Sequence, residues 1–144
     1  MTARGYVFAN IDINRSDASK FVVDEENKYY CSTEDGVLFN KDKTILYRYP
    51  SGKTETEYVV PDGVSTIYDG AFFETGELRD VTILDNVTDI SYYAGFNQLG
   101  HDEPRIPAEL VVHGYPNTAA QNFASWYSFT FDIIHYYGNW QFNV

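Results

Sequence analysis

Tyr58-Val59-Val60-Pro61-Asp62-Gly63-Val64-Ser65-Thr66-Ile67 can be laid over Val81-Thr82-Ile83-Leu84-Asp85-Asn86-Val87-Thr88-Asp89-Ile90. The offset is 81 − 58 = 23 residues. Val60 then falls on Ile83, Asp62 on Asp85, Val64 on Val87, Ile67 on Ile90 and Ala71 on Ala94. Each unit reads as a short strand, an acidic turn, and apolar residues three apart. Side chains two apart on a strand share a face. Tyr58, Val60, Val81 and Ile83 are therefore expected to point inward, with Val59 and Thr82 outward. Gly63 and Asn86 occupy the turn position and are the residues most tolerant of a left-handed backbone. One unit has too few apolar residues to bury its own face, so stacked units must share a core.

Working outward, a third unit stands at Leu110-Val111-Val112, 110 − 81 = 29 residues on, which adds Val111 to the outward positions. The intervening stretch, 97–106, reads as an exposed loop. Asn117 or Thr118 can cap a helix over Ala119–Tyr127. Phe123 and Trp126, three apart, are expected on its buried side. Phe129–Ile134 alternates like a closing strand. Upstream, Phe21-Val22-Val23 reads as a strand of the same type. An inserted hairpin follows, with Val37–Phe39 and Ile45–Tyr49 flanking the polar turn Asn40–Lys43. Ile11-Asp12-Ile13 is a candidate earlier strand.

These residues resemble the BspA-like leucine-rich repeats, whose units read Val-Pro-Asp-Gly-Val-x-x-Ile-x-Asp-x-Ala-Phe. Val60 to Phe72 matches that pattern in full. Phe21–Asp24, Asn27–Tyr30 and Asp35–Thr44 resemble the family's hairpin-bearing unit, and Gly114–Ala120 its terminal unit. The resemblance covers about residues 20–131. The second unit departs from it: Leu84 replaces the proline, and Tyr92 and Tyr93 stand where the first unit has Asp69 and Gly70. The resemblance implies a right-handed α/β leucine-rich-repeat solenoid, strand-rich, with an inserted β-hairpin and a C-terminal helix. The whole of 1–144 is then one domain: an N-terminal segment or cap at 1–19, a hairpin-bearing repeat at 20–57, a repeat at 58–80, a long-looped repeat at 81–109, and a terminal repeat with cap at 110–144. It also implies a secreted or cell-surface bacterial protein engaged in adhesion and protein binding. Met1-Thr2-Ala3-Arg4-Gly5-Tyr6 leads into no signal-peptide core, so the chain is expected to be part of a longer exported protein. A repeat array without an N-terminal cap would pair with a second copy or be covered by residues 1–18.

Composition narrows the partners. Ten basic residues face twenty-one acidic ones, for a net charge of −11. Nucleic acid and anionic membrane surfaces are disfavoured, because both are held by Lys and Arg. No stretch nears the roughly 20 apolar residues of a membrane helix. Basic partners, neutral glycans and protein surfaces remain open. Aromatic residues make up 17% of the chain, which favours half-buried strand surfaces.

Chemistry-bearing constellations are sparse. His101, His113 and His135 are scattered without metal-ligand spacing, and the single Cys31 can form no disulfide within the chain. Asp12–Asp17 mimics the start of a calcium loop, but Asp17 holds the position of its central glycine and Val23 that of its final glutamate. Asp62 and Asp85 recur because the turn recurs. The expectation is therefore no catalytic residue, no metal and no cofactor. Tyr29-Tyr30, Tyr92-Tyr93 and Tyr136-Tyr137 should each expose one ring if they lie on strands. The leading function is a non-catalytic scaffold for a protein or glycan ligand, with Val59, Thr82, Val111, Tyr92 and Tyr93 as binding-face candidates. A structural spacer is the alternative, and a hydrolase with opposed carboxylates comes third.

Overall fold

The computed structural model describes residues 19–95 and 109–135. Expectations at Ile11–Ile13, His101, the 97–106 loop and Tyr136-Tyr137, and for a cap formed by residues 1–18, lie outside them.

The repeat offset becomes strand pairing. A front sheet of four parallel strands runs in the order β4 (Glu57–Val59), β6 (Asp80–Thr82), β8 (Val111–Gly114), β9 (Thr130–Ile133). A back sheet holds β1 (Tyr30–Ser32), β2 (Leu38–Asn40), β3 (Ile45–Arg48), β5 (Thr66–Ile67) and β7 (Asp89–Ile90), in that order. Tyr58 pairs with Val81 in front and Ile67 with Ile90 behind, so both ladders carry the 23-residue offset. From β4 to β8 the chain alternates between the two sheets.

The core lies between them. Val60, Val64, Ile67, Ala71, Ile83, Val87 and Ile90 all belong to one buried cluster. Tyr58, Val81 and Val112 meet them from the front sheet, and Leu46 from the back. The strand parity read from the sequence therefore holds across the front sheet. Its third register does not. Val81 pairs with Val112, an offset of 112 − 81 = 31 residues and not 29, because Asp80 faces Val111 and Thr82 faces His113. Leu110 and Val112 are both buried, so either register satisfies the apolar pattern. A slip of two residues leaves every side chain on its face, and the pattern could not choose between them.

Several local expectations change. The Pro61–Val64 and Leu84–Val87 turns each close by a backbone hydrogen bond, 3.1 and 3.2 Å, and neither Gly63 nor Asn86 is left-handed. Asn86 instead donates its amide to the carbonyls of Pro61 and Val64 in the preceding unit, stitching one turn to the next. Phe21–Val23 contributes only an isolated bridge at Val23. The hairpin is extended by β1 into a three-stranded antiparallel meander. Its β2–β3 turn is held by Asn40, whose side-chain oxygen accepts from the backbone of Thr44 and Ile45, while Lys43 takes the left-handed conformation.

Helix α1 spans Ala119–Tyr127 as read from the sequence, with Ala120, Phe123 and Ala124 buried. Trp126 faces outward at 43% exposure. The buried stripe runs through 120, 123, 124 and Tyr127, and 126 falls on its flank. Thr118 stands at the N-cap without a side-chain cap bond. Its hydroxyl donates to the Tyr115 carbonyl, and the Gln121 side chain accepts from the Asn117 backbone in its stead. Gly114 lets the helix approach β8: a Cβ there would sit 2.8 Å from the Ile83 carbonyl oxygen and 3.0 Å from the Ala120 Cβ.

Candidate functional site

Alternation turns two rows of the front sheet outward. Glu57, Asp80, Val111 and Thr130 form one row, and Val59, Thr82, His113 and Asp132 the other. Val59 and Thr82 are thus direct cross-strand neighbours, as a shared binding face requires, and Val111 lies one strand over beside Asp80. Val59 is 60% exposed, an aliphatic side chain left in water on the edge strand. A depression of about 430 Å³ opens here, lined among others by Glu57, Val59, Asp80, Thr82, His113 and Ile134. No lysine or arginine occupies the outward positions of these four strands. At the margin, Arg79 is matched with Glu109 at 3.7 Å. The strip is neither tyrosine-rich nor uniformly polar.

His113 organises this face. Its Nε2 lies 2.8 Å from Asp80 Oδ1 and its Nδ1 2.8 Å from Asp132 Oδ2. Asp132 is its direct neighbour on β9, and Asp80 reaches it diagonally from β6. An ionised carboxylate only accepts, so both ring nitrogens must carry protons to satisfy both contacts. The hydrogen bond to Asp80, then that to Asp132, holds the imidazole above its ordinary value despite partial burial. Sequence reading missed this trio because it paired β8 two residues out of register.

Tyr92 and Tyr93 stand elsewhere, in the turn after β7. Both rings are about half exposed, where strand alternation would have hidden one; a turn imposes no such alternation. The turn is pinned from the helix. The Tyr127 hydroxyl donates to the Tyr92 carbonyl at 2.6 Å and accepts from the Gly95 backbone at 2.9 Å. Burial pushes that phenol up to about 12. Tyr92 packs edge-on to Trp126 with ring centroids 5.6 Å apart, which accounts for part of the tryptophan's cover. Of the first pair, Tyr29 is exposed in the bend before β1 and Tyr30, the first residue of that strand, is half-buried.

Cys31 is half-buried and its thiol donates to the Asn40 carbonyl at 3.2 Å. Burial raises its pKa above the ordinary thiol value, which disfavours the reactive thiolate. Among the described residues no three His, Cys, Asp or Glu side chains converge to hold a metal, and no helix is long and apolar enough to cross a membrane.

No protein-family model and no curated protein matches the chain. Among solved structures, it is similar to a leucine-rich repeat protein from Eubacterium ventriosum, at 26% identity over 69% of this chain and 30% of that one, with a TM-score of 0.46. It is also similar to the pneumococcal vaccine antigen PcpA, at 28% identity over 66% of this chain with a TM-score of 0.51. The chain spans about a quarter of PcpA's length, 24%. Together with the 23-residue offset repeated in both parallel ladders, the likeness to PcpA fits a leucine-rich-repeat-like fold.

Proposed function

We propose that this chain is a non-catalytic binding module of an exported bacterial protein, and that its front sheet receives a basic segment of a protein partner. The observation that carries this reading is the open front face, where an exposed aliphatic residue, Val59, borders a depression lined by Glu57 and Asp80, with Asp132 on the same outward face and no lysine or arginine at the outward positions of the sheet. Protein interfaces pair such an apolar spot with a polar rim and with complementary charge. The net charge of −11 draws a basic partner from a distance in the same sense. The units are proposed to wind as a right-handed solenoid of the BspA-like kind. The likeness to a vaccine antigen supports an exported setting.

The histidine geometry supports the non-catalytic half. A general base needs a free ring nitrogen aimed at the proton it takes. Both nitrogens of His113 are occupied by carboxylates.

The reading is tested with the full chain against a panel of synthetic peptides of basic, neutral and acidic composition and an array of uncharged glycans. Retention of Lys- or Arg-rich peptides is expected, and it should be lost in the double variant Val59→Lys, Thr82→Lys. That variant reverses the local charge without entering the core. Equal retention by the variant, or preference for the glycans, would refute a basic-protein face. Absence of any retention would leave the spacer role.

A further inference from the structure

The contact between His113 and its two aspartates spans three of the four front strands, and nothing in the binding role requires it. His113 sits on β8, Asp80 on β6 and Asp132 on the terminal strand β9. The groups that face the ring are Asp80 and Asp132, with Thr82 as its neutral neighbour from β6 and Glu57 of β4 lining the same depression. Both titratable groups that contact the ring are therefore carboxylates, with Tyr58 lining the depression and Arg79 held by Glu109 at the margin.

We propose that His113 is a proton-operated clasp: protonated, it ties Asp132 of the terminal strand to Asp80 of the inner strand and masks both carboxylates, and deprotonated, it lets one of them go. A neutral imidazole has one N–H and one lone pair. It can satisfy only one aspartate, and its lone pair then points at the other. Asp132 is the more exposed partner and lies at the end of the sheet, while Asp80 is flanked on both sides by strands. Asp132 is thus the one released. The strand itself stays paired to β8 through its backbone, so opening the clasp re-exposes charge without unfolding the unit.

The consequence for recognition rests on the reading of the front sheet as a face for basic partners. Closed, the clasp sets one imidazolium against the three carboxylates of Glu57, Asp80 and Asp132. Open, it leaves the three carboxylates uncompensated. A basic ligand is then held more tightly as pH rises through the histidine's titration. One added unit charge at roughly 6 Å in water changes affinity about threefold.

Two measurements separate the clasp from the face. In the first, the ring resonances of the full chain are followed by NMR against pH, with His113 assigned by their loss in His113→Gln. The expected result is a titration midpoint above the ordinary imidazole value that falls in Asp80→Asn and in Asp132→Asn. A midpoint at or below the ordinary value, unmoved by either variant, overturns the clasp. In the second, binding of an oligolysine peptide is measured at pH 5.5 and pH 8. The expected result is binding about threefold tighter at pH 8 for the wild type, with that part of the pH dependence removed in His113→Gln. PH dependence that survives intact in His113→Gln overturns the gating. A normal clasp titration with no oligolysine binding at either pH overturns the basic-partner face and leaves the clasp standing.

Discussion

On the back sheet, Tyr30, Tyr47 and Tyr68 stand edge to face across the strands, with ring centroids 5.4 and 5.1 Å apart. On the front sheet the matching outward row carries Val59, Thr82, His113 and Asp132. Both rows lie outside one shared core, the front row on parallel strands and the back row on β1, β3 and the residue that follows β5. They differ in what holds neighbouring side chains together. Edge-to-face aromatic pairs contribute about 0.5–1.5 kcal/mol each beyond their burial, and proton uptake does not alter them near neutral pH. The front row depends on charge. Its pairs are partly exposed and screened by water, and their strength changes with the state of a single imidazole. The back sheet thus gains strength from its surface, whereas the front sheet keeps groups that can respond to a partner or to pH.

The strongest way to break the comparison is to remove what the two sheets share. Val87 is buried in the common cluster. Val87→Asp would place an unpaired charge there, and a loss of about 3–5 kcal/mol is expected. Thermal unfolding followed by circular dichroism should show the front and back sheets failing together. Wild-type stability in this variant would mean that the repeats do not share a core.

A smaller perturbation separates the sheets. Gly114→Ala drives a methyl group against the Ile83 carbonyl and the Ala120 side chain. Overpacking of this kind typically costs about 1–3 kcal/mol. Hydrogen exchange should quicken in β8, β9 and α1 and stay unchanged in the β2–β3 hairpin. Uniform quickening would show that the back sheet depends on the helix as much as the front sheet does.

The aromatic row can be tested in turn. Tyr47 touches both of its ring neighbours, so Tyr47→Ala should lower stability by about 1–3 kcal/mol, two pair contributions, while Tyr47→Phe should stay close to wild type. Chemical denaturation at pH 7 measures both. A large loss in the phenylalanine variant would transfer the credit from the rings to the hydroxyl.

The smallest effect sharpens the contrast between the faces. The native state holds the His113 proton more tightly than the unfolded chain does, because Asp80 and Asp132 accept from it. The native state therefore binds more protons between the ordinary imidazole value of 6.5 and the raised native one, and stability falls as pH rises across that window. Below 6.5 the contribution is fully present. Melting temperatures measured from pH 5.5 to 8.5 should show this decline in the wild type and in Tyr47→Phe, and a weaker one in His113→Gln. An identical decline in His113→Gln would assign it to other groups.

Much of this molecule was legible as a pattern. The 23-residue offset, the inward and outward sides of β4, β6 and β8, the β2–β3 hairpin and the bounds of α1 all follow from periodicity and turn chemistry. Those signals are local, or repeat along the chain, so no tertiary knowledge is needed to read them. Trp126 was misplaced because three-residue spacing puts two residues near one face without saying which is central. The tyrosines at 92 and 93 were misread because alternation was applied where the backbone turns.

What the sequence determined by itself is parity. Side-chain direction on a strand repeats every two residues, so burial fixes which residues face the core and leaves any even slip free. What only the tertiary structure decided is register. Leu110 and Val112 are equally at home in the core, and the choice between them falls to the backbone bonds joining Arg79 to Val111 and Ile83 to His113. That choice sets His113 beside Thr82 and within reach of Asp80. The parallel pairing of β9 then brings Asp132 to its other nitrogen. Three residues from strands 33 and 19 positions apart in sequence meet because hydrogen bonds between main chains, indifferent to side-chain identity, put them there.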